Sequence, residues 1–151
     1  MTTIAFDGQT VAFDTLTAQS GRKGWTHDKV IRVEGGSFAG GCGELDAIHA
    51  FQSWVQNGMD PSDYPQLCRD RSEESCFIVI TPDGVLMDFE RTPTPVTKTH
   101  GFDACGSGSD YALGAMAAGK TAREAVEIAA RFDLYTGSEV IALPLDAART
   151  T

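Results

Sequence analysis

Thr2-Thr3-Ile4-Ala5-Phe6-Asp7-Gly8-Gln9-Thr10-Val11-Ala12-Phe13-Asp14 opens the chain as a β-hairpin. Two β-prone runs, Thr3-Ile4-Ala5-Phe6 and Thr10-Val11-Ala12-Phe13, flank Asp7-Gly8, a dipeptide that accepts the positive φ of a type I′ turn. Working outward, residues 15–24 form a polar, Gly-containing stretch, and Lys29-Val30-Ile31-Arg32-Val33 reads as a strand. Gly35-Gly36 turns the chain into Ser37-Phe38-Ala39, which ends at Gly40-Gly41.

Beyond that point the apolar period changes from two to between three and four. Leu45, Ile48, Phe51, Trp54 and Val55 predict an amphipathic helix over residues 44–55, with Gly58 as its stop. Residues 60–75 are polar and Pro-containing, mostly loop, with room for one helical turn capped by Asp60 with Pro61 in its first position. A second hairpin follows: Cys76-Phe77-Ile78-Val79-Ile80, the turn Thr81-Pro82-Asp83-Gly84, and Val85-Leu86-Met87-Asp88-Phe89. Pro93 and Pro95 mark an irregular or edge segment. Gly106-Ser107-Gly108-Ser109 leads into a small-residue helix over residues 110–118, stopped by Gly119. Thr121 and Glu124 form a capping box for a helix carrying Ala125, Val126, Ile128, Ala129 and Phe132, and Val140-Ile141-Ala142-Leu143 is the last strand.

Strands grouped in meanders, with helices grouped between them, predict antiparallel sheets with helices packed on them rather than a parallel crossover fold. The 151 residues make one domain, residues 1–151, large enough to bury its own core. A net charge of −9 argues against nucleic-acid and anionic-membrane partners, which need clustered Lys and Arg. No apolar run reaches the roughly 20 residues that span a bilayer, and the first ten residues lack the pattern of a signal peptide, so a cytoplasmic location is expected. Cys42, Cys68, Cys76 and Cys105 form no CxxC pair, so free thiols, no metal and no cofactor are expected.

The sequence holds no G-x-S-x-G elbow, and His27, His49 and His100 have no triad or metal spacing. Its N-terminus offers a different nucleophile. Removal of Met1 would leave Thr2 with a hydroxyl and a free α-amine on one residue. An α-amine titrates near pH ~8, so it can act as general base for its own hydroxyl, directly or through a water. No long leader precedes Thr2, so processing would need only Met1 removal.

Read together, these segments resemble the proteasome β-subunit family, most closely its bacterial HslV-type members. The likeness runs through Thr2-Thr3-Ile4-Ala5-Phe6, Val11-Ala12-Phe13-Asp14, the lysine-led strand from Lys29, and Phe38-Ala39-Gly40-Gly41 as a strand-to-helix turn. It continues through Gly106-Ser107-Gly108-Ser109-Asp110-Tyr111-Ala112, Glu124-Ala125-Val126 and Asp133-Leu134-Tyr135-Thr136-Gly137. The resemblance implies an α+β fold, the αββα four-layer Ntn-hydrolase sandwich of two antiparallel sheets flanked by helices. It implies an N-terminal-threonine peptidase in a self-associated ring, acting on unfolded protein or peptide substrates and fed by an AAA+ unfoldase of the HslU type.

By the same resemblance each matching residue takes a role. Thr2 is the nucleophile, and Asp14 and Lys29 form an ion pair beside it, the ammonium disfavouring protonation of the amine. The backbone N–H of Gly40 is an oxyanion donor; Ser107, Asp133 and Thr136 orient the amine; Phe38 lines the substrate side-chain pocket. Asp133 sits near a helix C-terminus, where the dipole disfavours a carboxylate, so Lys29 or the N-terminal amine is its expected partner.

The sequence departs from the family where a long second helix would lie, since residues 60–75 read as loop. That trimmed surface supports an alternative, a catalytically silent Ntn-fold protein with an assembly or binding role. A retained Met1 would have the same consequence, because it caps the amine.

Overall fold

A computed structural model describes residues 2–70, 75–99, 101–137 and 139–145. The expectations for Met1, for His100 and for part of the 60–75 loop lie outside these residues. The chain divides into two compact units, residues 2–27 with 101–144, and residues 28–99. Both combine antiparallel sheets with separate helices, so the α+β class holds.

In the first unit, β1 (Thr3–Phe6) and β2 (Thr10–Asp14) pair with Phe6 opposite Val11 and Ile4 opposite Phe13. The turn differs from the expected type I′. Only Gly8 has a positive φ, +95°, and it stands first of the two residues between Asp7 and Thr10, the signature of a type II′ turn. Asp7 closes it by accepting the Gln9 and Thr10 N–H groups at 3.0 and 2.8 Å. The hairpin is the middle of a four-stranded sheet, with β10 (Asp103–Gly106) beside β1 and β11 (Val140–Pro144) beside β2. Strand β10 carries no alternating apolar pattern, which is why the sequence reading passed over it.

Ala5 and Ala12 sit opposite each other in the sheet, facing α3 (Ser109–Ala117) and α4 (Ala122–Phe132). Methyl-sized side chains at Ala112, Ala115, Ala122 and Ala125 let these helices approach the sheet closely. Thr121 Oγ1 accepts the Glu124 N–H at 3.2 Å, one half of the expected capping box. Asp7 Oδ2 accepts the Ala122 N–H at 2.9 Å, so the hairpin turn and the start of α4 share one carboxylate. The polar stretch after Asp14 folds into a further hairpin, β3 (Leu16–Gln19) and β4 (Arg22–Trp25). Its Ser20-Gly21 turn has positive φ at both residues, the type I′ pattern. Most of its side chains are solvated, so no alternation announced it.

The second unit is a meander of five strands: β5 (Val30–Arg32), β6 (Phe38–Cys42), β7 (Cys76–Ile80), β8 (Leu86–Phe89) and β9 (Val96–Lys98). Strand β9 forms one edge, where the flanking prolines are tolerated. Helix α1 (Leu45–Gln56) packs Ile48, Phe51, Trp54 and Val55 into a core with Phe77, Val79 and Phe89. Phe51 and Phe77 stack at 5.2 Å, and Tyr64 meets Trp54 edge-on at 4.9 Å.

The helical turn expected at Asp60-Pro61 is a 3-10 turn, Pro61–Asp63, capped by Asp60, and the stretch expected as loop after it holds the one-turn helix α2 (Gln66–Arg69). Tyr64, 3% exposed, packs into the same core, and its hydroxyl donates to the Glu90 carbonyl. Register places Cys42 directly opposite Cys76.

Candidate active site

Thr2 stands one residue ahead of β1 and is buried, as are Thr3 and Asp14. The end of β2 brings Asp14 to the start of β1, because antiparallel pairing of a tight hairpin sets its two outer ends side by side. The Asp14 carboxylate draws in a hydroxyl and two backbone N–H groups. Oδ1 accepts the Thr2 hydroxyl and, at 2.9 Å, the Thr3 N–H; Oδ2 accepts the Gly137 N–H at 3.0 Å. A carboxylate with no solvent access is stable only when its lone pairs are matched in this way. Residue 2 is therefore fixed by its own hydroxyl and by the next peptide N–H, both on one oxygen.

A second carboxylate approaches from the end of α4. Asp133 is the C-cap of that helix. Its Oδ2 accepts the Ser107 hydroxyl at 2.6 Å and the Thr136 hydroxyl. These two hydroxyls give the carboxylate hydrogen-bond donors at a helix end whose dipole disfavours it. Ser107 Oγ also lies 3.4 Å from the Thr2 carbonyl oxygen, and Ser107 is exposed to solvent. Thr2, Asp14, Ser107, Asp133 and Thr136 thus converge within the first unit, from five separate positions in the chain.

Thr3 and Gly137 belong to the same constellation and escaped the sequence reading. Thr3 Oγ1 lies 2.6 Å from Thr136 Oγ1. Thr3 alternates with Ile4 along β1, and that period was a signal of its facing; Gly137 contributes only a backbone N–H, which leaves no trace in the sequence.

The other expected site residues lie in the second unit. Lys29 precedes β5 and is 3% exposed, and its carbonyl accepts the Gly41 N–H at 3.0 Å. An ammonium so deeply buried requires a counter-charge. Gly40 does not sit at a strand-to-helix corner, because β6 runs on through Cys42 and the chain bends at Gly43, where φ is +111°. Gly40 and Gly41 are required by close backbone packing instead: an added Cβ would stand 2.3 Å from the Lys29 carbonyl oxygen or 2.4 Å from that of Cys76. Phe38, expected to line a pocket, is 1% exposed with the Arg32 guanidinium 4.4 Å above its ring. That is the environment of a core side chain. His27 and His49 face Glu139 and Asp28 as exposed surface pairs, at 3.7 and 3.9 Å.

A sheet hairpin that presents residue 2 to a buried aspartate, with paired helices on one face, defines the proteasome/HslV type of Ntn-hydrolase fold, and solved structures of that type match this chain. HslV from Trypanosoma brucei superposes with a TM-score of 0.70 at 20% identity, over 95% of this chain and 99% of its own. Thiobacillus denitrificans BPH matches at 25% identity and TM-score 0.63, over 97% of this chain and 98% of that one. The same protein in complex with epoxomicin matches at 24% identity, 96% and 98% coverage, and TM-score 0.63. The sequence matches no protein-family model and no curated protein.

Proposed function

We propose that this chain is an N-terminal-threonine peptidase of the proteasome/HslV type, hydrolysing peptide bonds in unfolded protein substrates inside a ring-shaped chamber. The observation that supports it most is the Thr2 hydroxyl held on the buried Asp14 carboxylate, with the Ser107–Asp133–Thr136 group at the same residue. With Met1 removed, the Thr2 Oγ attacks the substrate carbonyl carbon and its proton passes to the α-amine. The tetrahedral oxyanion collapses as that proton goes to the leaving amine, which departs and leaves a Thr2 ester. Water then hydrolyses the ester and regenerates the hydroxyl.

In this reading Lys29 is the counter-charge to Asp14 and depresses the affinity of the α-amine for a proton, in keeping with its burial. Gly40 supplies the oxyanion N–H. The four-layer αββα arrangement, the cytoplasmic setting and an HslU-type AAA+ partner belong to the same proposal. Self-association finds support in the first unit's exposed apolar surface, where Phe132 is 60% and Leu134 87% exposed and Tyr111 stacks on Phe132 at 5.5 Å.

Intact-mass measurement of protein made in its native host, before and after treatment with epoxomicin, tests the reading. A species lacking Met1 that gains one inhibitor mass on Thr2 is expected. A chain that keeps Met1 and takes up no inhibitor refutes the peptidase and leaves a silent assembly or binding protein.

A further inference from the structure

We propose that Thr3 is a positioning residue for this site: its hydroxyl, acting through Thr136, holds the Asp133 carboxylate where it meets Ser107 beside residue 2. The inference rests on the peptidase reading above.

Proton counting assigns the direction of each bond. Thr136 has one hydroxyl proton, and it goes to Asp133 Oδ2. The 2.6 Å contact between Thr3 Oγ1 and Thr136 Oγ1 must then use the Thr3 proton. Ser107 likewise directs its one proton to Asp133 Oδ2, at 2.6 Å, rather than to the Thr2 carbonyl oxygen at 3.4 Å. The result is a directed chain, Thr3 to Thr136 to Asp133, met from the other side by Ser107.

This chain starts from the side chain of residue 3 and ends beside the carbonyl of residue 2. It therefore brackets the Thr2–Thr3 peptide, the bond that sets where the nucleophile stands. Thr3 and Thr136 are both buried, so bulk water does not compete for these hydroxyls, and each bond polarises the next. Residue 108 is built around the pair: a Cβ on Gly108 would lie 2.2 Å from Thr3 Oγ1 and 3.0 Å from Thr136 Oγ1. A valine at position 3 would put a methyl where the donor now is. Oxygen and methyl cannot approach to 2.6 Å, so Thr136 must retreat and Asp133 loses one of its two donors.

Steady-state hydrolysis of a fluorogenic peptide by Met1-free protein decides it, using wild type, Thr3→Val, Thr3→Ser, Ser107→Ala and the Thr3→Val/Ser107→Ala double variant. Thr3→Val should lower kcat by about tenfold or more with KM changed by less than about twofold, the split expected when orientation rather than binding is lost. Thr3→Ser, which keeps the donor, should stay within about threefold of wild type, and the double variant should be no slower than the slower single variant, as for residues acting as a unit. Thr3→Val turnover within about twofold of wild type, or losses that multiply in the double variant, would overturn the role while leaving the peptidase intact. If Thr3→Val does not fold by circular dichroism, Thr3→Ala is read against the same thresholds. A wild type that neither turns over nor labels with epoxomicin overturns both readings together.

Discussion

Replacing Asp14 by asparagine tests the part of the structure on which the site depends, and it does so without assuming any activity. The carboxylate accepts from the Thr2 hydroxyl and the Thr3 N–H on Oδ1 and from the Gly137 N–H on Oδ2. An asparagine has one carbonyl and one amide group, so in either orientation an NH2 faces a backbone N–H. With the carbonyl toward Thr3, Gly137 loses its acceptor. With the carbonyl toward Gly137, the Thr2 hydroxyl can rotate to accept, but the fully buried Thr3 N–H is stranded.

One buried donor left unpaired costs about 1–3 kcal/mol, and the surviving bonds each weaken by about 1 kcal/mol once the acceptor is uncharged. The total, about 2–5 kcal/mol, corresponds to a fall in Tm of roughly 4–20 °C for a chain of this size. Calorimetric or circular-dichroism melting of Asp14→Asn beside wild type at neutral pH measures it directly. A Tm within about 2 °C of wild type would mean that no buried N–H is stranded and that this hydrogen-bond arrangement is wrong.

Three further outcomes follow from the same geometry. Gly108→Ala, whose new Cβ would stand 2.2 Å from Thr3 Oγ1, should cut peptide turnover by about tenfold or more while the far-ultraviolet spectrum persists; unchanged kcat would show that the hydroxyl pair can shift freely. Thr121→Ala removes the acceptor of the Glu124 N–H and should cost about 1 kcal/mol, a Tm drop of about 2–4 °C, read by the same melts. The Asp60 carboxyl is held below its ordinary value of 3.8 by the backbone N–H and then the hydroxyl of Ser62. A depressed folded-state value means that its contribution is present above the unfolded value and is lost as pH falls through the folded one, below about pH 4. Ser62→Ala should move the carboxyl upward in a carbon-13 NMR titration; an unmoved midpoint refutes the hydroxyl's part in it.

Much of the fold could be read from local pattern because local physics sets it. Leu45 to Val55 form a helix since their spacing gives one apolar stripe, and the hairpin at Asp7-Gly8 forms since glycine tolerates its φ of +95°. The site residues came from the family resemblance rather than from any local pattern: of Thr2, Asp14, Lys29, Phe38, Gly40, Ser107, Asp133 and Thr136, the first unit brings together Thr2, Asp14, Ser107, Asp133 and Thr136. Patterns failed where an element owes its existence to a neighbour. Strand β10 is held by the register of β1, and β3 with β4 expose most of both faces, so neither carries an apolar period.

Partners in three dimensions were decided by tertiary structure alone. Pairing of chain ends by a sheet put Asp14 against residue 2, and the end of α4 brought Asp133 to the hydroxyls of Ser107 and Thr136. Close packing between strands, rather than a corner, accounts for Gly40 and Gly41, and burial beneath Arg32 makes Phe38 a core residue. Propensity and period act over a few residues along the chain. Hydrogen-bond complementarity acts over a few ångströms in space, between residues as far apart in sequence as Thr3 and Thr136, and only the folded chain brings those distances together.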